Sequence, residues 1–175
     1  KNGLFGFDYF KSPISGGSYV IIFKTKKTTP TQKFLNIIKN EKKQKLDTVK
    51  FWQTLRKKCE EHKKKFLQKI SNFNKLNIIS AYGASARSST LLNYLQLDHK
   101  FITQIFDINL LKKNMYSPGS HIRIKNPTMQ NIKSTNIIIL LAWNFKEEIL
   151  KFLKQKNFKG KVFQPLPRIK IFKLR

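Results

Sequence analysis

The chain has 175 residues, of which 40% are hydrophobic, so it is long enough and apolar enough to fold around a core. No apolar run approaches the roughly 20 residues of a membrane-spanning helix, and no secretory signal is visible. The single cysteine, Cys59, excludes an internal disulfide framework and fits a reducing, cytoplasmic setting. Because the chain begins at Lys1 without a methionine, we expect that its true start lies farther upstream.

The formal net charge of +27 raises the question of a polyanionic partner, either nucleic acid or an anionic membrane. Few of the basic residues are arginine, which is the preferred side chain for reading bases and phosphates. The lysines are spread along the whole chain and are not gathered into one arm. The sequence therefore predicts nonspecific association with polyanions, and neither a specific nucleic-acid site nor a membrane partner.

Residues 1–27 are predicted to form two strands, Leu4–Phe7 and Tyr19–Phe23, joined by a turn at Ser15–Ser18. Two strands without a helix beside them cannot bury both of their faces. We therefore expect this segment to be the end of a truncated preceding domain, whose sheet lies elsewhere.

Residues 28–75 are predicted to be a helical linker. Thr28–Thr31 offers an N-cap, and the helices Gln32–Lys43 and Asp47–Phe73 follow. The second helix has an apolar stripe with spacings of three and four residues, which predicts a packed face with lysines on the solvent side. The stripe consists of Trp52, Leu55, Cys59, His62, Phe66, Ile70 and Phe73.

Cys59 and His62 lie one turn apart on that stripe, and this spacing permits a metal site. Such a site needs two further ligands, and the other histidines, His99 and His121, are distant in sequence. The pattern therefore favours a buried thiol and a core or boundary imidazole.

The stretch that begins at Leu76 has the pattern of a strand, a tight turn and a helix. The strand is Leu76–Ala81, the small-residue turn is Gly83–Ala86, and the helix includes Leu91–Leu95. In such a unit, backbone N–H groups and the positive end of the helix dipole face one point and hold phosphates. Arg87 adds a guanidinium that suits a phosphate oxygen.

The dinucleotide-binding fingerprint is only partly present in this turn. Its three glycine positions correspond to Gly83, Ser85 and Ser88, so only the first glycine is kept. An ordinary turn in a parallel sheet is therefore as consistent with the residues as a phosphate site.

A second strand, Phe101–Asp107, ends on an acidic residue. An acid at the end of the second strand holds ribose hydroxyls in Rossmann-type sites. The alternative role for Asp107 is the cap of a helix or turn, and the sequence favours neither. A loop, Ile108–Ser120, and a short return strand, His121–Ile124, follow.

The strand Asn136–Ala142 is almost wholly apolar, as expected in the middle of a parallel sheet. An amphipathic helix, Lys146–Lys156, follows, and Asn157 and Gly160 are predicted to close it. Two terminal strands, Lys161–Gln164 and Ile169–Phe172, complete the pattern. Residues 76–175 are therefore predicted to form an α/β, Rossmann-like, doubly wound domain with a mainly parallel sheet.

Several blocks of residues together carry a family resemblance. They are Tyr82–Arg87 with Thr90–Tyr94; Asp107, Lys112 and Pro118–Ile124; Ala142–Phe145 with Glu148 and Ile149; Gly160–Pro167; and Ser15–Ser18. With these blocks the chain resembles the C-terminal domain of SAM-dependent C-methyltransferases that act on nucleotide-linked keto-deoxysugars. Ser88, in place of a glycine, and Asn114-Met115, in place of a Gly-Lys pair, depart from the family pattern.

The resemblance implies that residues 76–175 help to bind a nucleotide-linked sugar. The candidate substrate-binding residues are Gly83, Ala84, Ser85, Arg87, Ser88, Asp107, Lys112, His121 and Asn144. The turn residues suit a diphosphate, and the lysine and histidine suit further polar contacts. Asn144 follows a central strand, where α/β sites form.

The chain shows no separate SAM loop, no zinc-binding cysteine cluster and no catalytic histidine motif of the resembled enzymes. We therefore predict no catalytic residue, metal or cofactor in this chain, with SAM bound by the full-length enzyme. The partner would be a missing methyltransferase domain or a second polypeptide. One hypothesis is the substrate-binding portion of such an enzyme, inactive in isolation. The alternative is a non-catalytic, stand-alone or residual binding domain that associates with polyanions.

Overall fold

The structure, a computed structural model, describes residues 2–14, 17–73 and 77–175. The chain folds into two compact units, Lys1–Glu61 and His62–Arg175. The finer division into segments 1–27, 28–75 and 76–175 stays a prediction.

The first unit begins with an antiparallel pair of strands, β1 (Phe5–Ser12) and β2 (Ser18–Lys24). Both strands are longer than the sequence predicted. The predicted turn between them includes Ser15 and Gly16, which lie outside the described residues. All seven residues of β2 are exposed, although most of them are apolar.

Helix α1 (Gln32–Lys43) has the predicted bounds and the predicted threonine cap. The Thr31 hydroxyl accepts a hydrogen bond from the Phe34 N–H at 3.3 Å and donates one to Asp8 Oδ1 at 2.7 Å. The hydrogen bond from Thr31 is the largest cause that lowers the pKa of the Asp8 carboxyl. One threonine therefore begins the helix and ties it to β1.

Helix α2 (Val49–Ser71) is buried only near its end, where Phe66 and Ile70 lie in the core of the second unit. The predicted buried thiol is wrong, because Cys59 is exposed. Trp52 is 59% exposed, so the apolar stripe does not form one continuous packed face. His62 is half-buried, as predicted for a boundary imidazole, and its Nε2 lies 2.8 Å from the Pro165 carbonyl oxygen.

The second unit is built on a six-stranded sheet with helices between the strands. In chain order the elements are β3 (Ile79–Tyr82), α3 (Ala86–Leu95), β4 (Ile105–Phe106), β5 (Ile124–Lys125), α4 (Met129–Lys133), β6 (Ile137–Leu140), α5 (Lys146–Gln155), β7 (Gly160–Gln164) and β8 (Lys170–Leu174). The strand order in the sheet is β5-β4-β3-β6-β7-β8. Neighbouring strands are parallel except for the final pair, in which β8 runs antiparallel to β7. The mixed α/β fold with a mostly parallel sheet confirms the predicted fold class.

Both faces of this sheet are covered. Along β6, Ile137 and Ile139 join one buried cluster, whereas Ile138 and Leu140 join the other. The first cluster includes side chains of α2 and α3, and the second includes side chains of α4 and α5. A fully apolar strand is the expected sequence for a position between two helical layers.

Several element boundaries differ from the prediction. The predicted strand Phe101–Asp107 is reduced to β4, because its first residue belongs to a turn that begins at Asp98. The Asp98 carbonyl accepts a hydrogen bond from the Phe101 N–H at 3.1 Å. Gly160 does not close α5 but starts β7. Asn157, at φ 54°, is the left-handed residue that ends α5. The short helix α4 was missed, because five residues show too little periodicity.

Candidate functional site

The sheet contains one position at which successive connections leave in opposite directions. The chain passes from β3 to β4 on one side, whereas β6 lies on the other side of β3. In open α/β sheets, ligands bind outside the carboxyl ends of the strands at such a topological switch point.

A cavity of about 440 Å³ lies at this point, and we call it the switch-point cavity. Its walls come from the segments that follow β3, β4 and β6. Most of the lining is apolar, with one phenol, one hydroxyl and two carboxylates among it. The lining residues are Tyr82, Gly83, Ala84, Ser85, Asp107, Ile108, Ala142, Phe145, Glu148, Ile149 and Phe152. Four of the nine predicted site residues, Gly83, Ala84, Ser85 and Asp107, are therefore brought together here.

Gly83 is required at the end of β3 for two reasons. Its φ of 101° is a conformation that side chains rarely adopt. A Cβ at this position would lie 2.5 Å from the Ala142 Cβ and 3.0 Å from the Ala142 nitrogen. The segment that follows β3 and the segment that follows β6 therefore lie so close together that no side chain fits at Gly83.

The two serines of the turn form the N-terminal cap of α3. Ser85 Oγ accepts the Ser88 N–H at 3.3 Å, and Ser88 Oγ accepts the Ser85 N–H at 3.2 Å. This reciprocal capping box explains why α3 begins at Ala86, ahead of the predicted helical residues Leu91–Leu95. Ser88 is 1% exposed and is not part of the cavity lining, so its direct role is to hold the helix start.

Asp107 is joined to the same turn by a clamp of hydrogen bonds. Its Oδ2 accepts the Ala84 N–H at 2.8 Å, and its Oδ1 accepts the Asn109 N–H at 2.9 Å. Lys112 Nζ donates to the Ala84 carbonyl at 2.7 Å and lies 3.4 Å from Asp107 Oδ2. The capping role left open by the sequence is thus observed, and it places the carboxylate at the cavity wall.

Three amides of the turn, those of Gly83, Ala84 and Ser85, already donate hydrogen bonds within the fold. The Gly83 N–H donates to the Phe106 carbonyl at 2.7 Å, and the N–H groups of Ala84 and Ser85 donate to side chains as described above. A phosphate would have to displace these acceptors to use the same amides. The turn is therefore less open to a phosphate than its sequence predicted.

Tyr82 and Glu148 are cavity residues that the sequence reasoning did not assign to the site. Burial, with a smaller effect of the Asp107 charge, raises the pKa of the Tyr82 phenol to about 12. The phenol therefore remains a hydrogen-bond donor at neutral pH. Tyr82 is the last residue of β3. Because sites in α/β folds form at the carboxyl ends of strands, its position in the sequence could have identified it as a site residue.

The remaining predicted site residues lie away from the cavity lining. Arg87 is exposed on α3, and its guanidinium carbon is 5.9 Å from the Trp143 ring centroid. His121 is exposed in a turn at φ 50°, and its N–H donates to the Ser117 carbonyl at 3.0 Å. Asn144 lines a different cavity, which is described below.

Neither a membrane helix nor a metal cluster is found in the described parts of the chain. No described helix combines the length and apolarity needed to cross a membrane. The described residues likewise contain no group of three or more His, Cys, Asp or Glu side chains placed to hold a metal ion.

Comparison with known proteins identifies the family. Residues 13–167 match the family described as C-methyltransferase C-terminal domain. The chain is also similar to the C-methyltransferase NovU of Streptomyces niveus, with 31% identity over 96 residues. That match covers 53% of this chain and 22% of the relative, so the chain matches only a small part of the relative's length. The family match spans most of the sequence, and the chain belongs to the family of C-methyltransferase C-terminal domains.

Proposed function

We propose that the second unit binds the nucleotide portion of a nucleotide-linked sugar for a SAM-dependent C-methyltransferase. The observation that carries this proposal is the switch-point cavity, whose apolar walls and few polar groups suit a nucleoside. The aromatic rings of Phe145 and Phe152 offer surfaces for a base. The Asp107 and Glu148 carboxylates are acceptors for ribose hydroxyls, and the Tyr82 phenol is a donor for a base carbonyl.

The diphosphate belongs outside this cavity in our proposal. The Glu148 carboxylate at the wall repels an anion, and the amides of Gly83, Ala84 and Ser85 already have acceptors. The Arg87 guanidinium lies in the first turn of α3, where the helix dipole also favours negative charge. The phosphates therefore leave the cavity toward the start of α3.

We propose further that SAM and the catalytic base reside on another part of the enzyme. The family transfers the SAM methyl group to a carbon beside a keto group, and that carbon must first lose a proton to a base. The segment β1–β2 would then contribute to the sheet of the preceding methyltransferase domain, since its apolar side chains are exposed within the first unit. The isolated chain would bind substrate without methyl transfer, in the cytoplasm.

Calorimetric titration of the full chain with uridine diphosphate, thymidine diphosphate and SAM tests this proposal. We expect saturable binding of a nucleoside diphosphate at low and high salt, and none of SAM. Tyr82→Phe should weaken binding about three- to tenfold, the effect of one hydrogen bond. The matched control, Tyr116→Phe, changes an exposed phenol outside the cavity lining.

Two results would contradict the proposal. Binding of SAM in place of the nucleotides would assign the cavity to the cofactor. Equal binding of all polyanions, lost at high salt, would support the alternative of a residual domain that interacts through its charge alone.

A further inference from the structure

A second cavity of about 440 Å³ lies beside the switch-point cavity, and we call it the amide cavity. It is formed where β6 and β7 end, by Asn144 after β6 and Gln164 at the end of β7. Phe145 and Glu148 line both cavities, so the two share a wall.

Gln164 presents an acceptor of fixed orientation. The residue is 6% exposed, and its Nε2 donates to the Leu166 carbonyl at 2.7 Å. Exchanging the two ends of the amide would place oxygen against oxygen, so the geometry fixes which atom is which. The buried Oε1 has no hydrogen-bond partner among the described residues.

Asn144 contributes the second unpaired amide group. Its buried Nδ2 also has no hydrogen-bond partner among the described residues. Buried polar groups in native proteins are nearly always paired, so two unpaired amide atoms on residues that line one cavity call for a ligand group. A hydroxyl group suits either atom, because it can donate to Gln164 Oε1 or accept from Asn144 Nδ2.

The charges of the lining argue against an ionic ligand. Lys146 and Lys170 are balanced by Glu147 and Glu148, and Lys146 Nζ pairs with Glu147 Oε1 at 2.6 Å. A neutral, hydroxyl-bearing group is favoured over an anion.

We propose that the amide cavity binds hydroxyl groups of the sugar portion of a nucleotide-linked sugar. This inference rests on the proposed function, since the nucleotide portion is placed in the adjoining cavity. Gln164 and Asn144 would then distinguish the nucleotide-linked sugar from the free nucleotide.

The test compares the dissociation constants of two pairs of compounds by calorimetry on the full chain. The pairs are uridine diphosphate with UDP-glucose, and thymidine diphosphate with TDP-glucose. Gln164→Met should weaken binding of the nucleotide-linked sugar about tenfold and leave the free nucleotide within about twofold. Asn144→Leu is a second variant with the same expected pattern.

A matched control and a charge variant accompany these variants. Gln155→Met makes the same substitution at the exposed end of α5 and should change neither constant. Lys170→Gln removes a positive charge from the amide cavity, so it distinguishes an anionic ligand group, whose binding it should weaken more than Gln164→Met does, from a neutral hydroxyl. Circular dichroism verifies that every variant is folded.

The outcomes separate this inference from the proposed function. The inference alone is overturned if Gln164→Met weakens binding of the free nucleotide and of the nucleotide-linked sugar equally, or weakens neither. A larger loss with Lys170→Gln than with Gln164→Met also overturns it, because the cavity would then bind an anion. Failure of the unmodified chain to bind any of the four compounds overturns the proposed function and the inference with it.

Discussion

Gly83→Ala is expected to destabilise the second unit strongly. The left-handed backbone at this position costs a side chain about 1–2 kcal/mol. The new methyl would also lie 2.5 Å from the Ala142 Cβ, and such overpacking costs typically about 1–3 kcal/mol. The expected loss is therefore about 2–5 kcal/mol, a large fraction of the roughly 5–15 kcal/mol by which domains are stable.

Urea unfolding followed by tryptophan fluorescence measures this loss. Trp52 lies in the first unit, so a Trp52→Phe background leaves Trp143 as the reporter of the second unit. The double variant Gly83→Ala/Ala142→Gly removes the Cβ contact but keeps the backbone conformation. After the cost of Ala142→Gly alone is subtracted, we expect the free energy of unfolding of the double variant to be about 1–2 kcal/mol higher than that of Gly83→Ala.

A loss below about 1 kcal/mol for Gly83→Ala would refute the reasoning, because neither the backbone strain nor the close approach would then be present. Absence of coupling with Ala142 would refute the contact alone.

Three further predictions concern the cap, the phenol and the thiol. Ser85→Ala and Ser88→Ala should each destabilise the second unit by about 1 kcal/mol in urea unfolding, and the double variant by less than the sum, because the two side chains form one cap. The raised pKa of Tyr82 means that the folded state keeps a proton that the unfolded state loses above about pH 10, so stability falls from there toward pH 12. Tyr82→Phe should reduce this alkaline loss, measured by urea midpoints across that range, whereas Tyr116→Phe should not. Cys59 should react completely with a thiol reagent in the folded chain, as monitored by absorbance, and protection until urea is added would contradict its exposure.

The doubly wound fold could be predicted because its signals are strong and local. The apolar run at Asn136–Ala142 became the buried strand β6, since a strand covered on both faces has no polar positions. The end of α2 followed its periodicity at Phe66 and Ile70, where the sheet covers it. Periodicity could not predict the exposure of Cys59, because the apolar face of a helix need not be covered along its whole length.

The site was harder to predict because side chains there have two roles. Ser88 occupies a position that resembles a phosphate-binding glycine, yet its hydroxyl and amide serve the helix cap. Tyr82 and Glu148 have ordinary structural explanations as a strand end and a helix first turn, and only the tertiary fold brings them to one cavity. Asp107 accepts a hydrogen bond from the turn and also lines the cavity.

The edges of the six-stranded sheet bear on how the protein avoids self-association. One edge strand, β5, has only two residues, and the other, β8, carries Lys170 and Lys173. Short and charged edges give another chain little opportunity to add a strand. By contrast, β2 is a seven-residue, largely apolar strand with exposed side chains. Aggregation of the isolated chain is therefore expected to begin at the hairpin of the first unit, far along the sequence from the cavities.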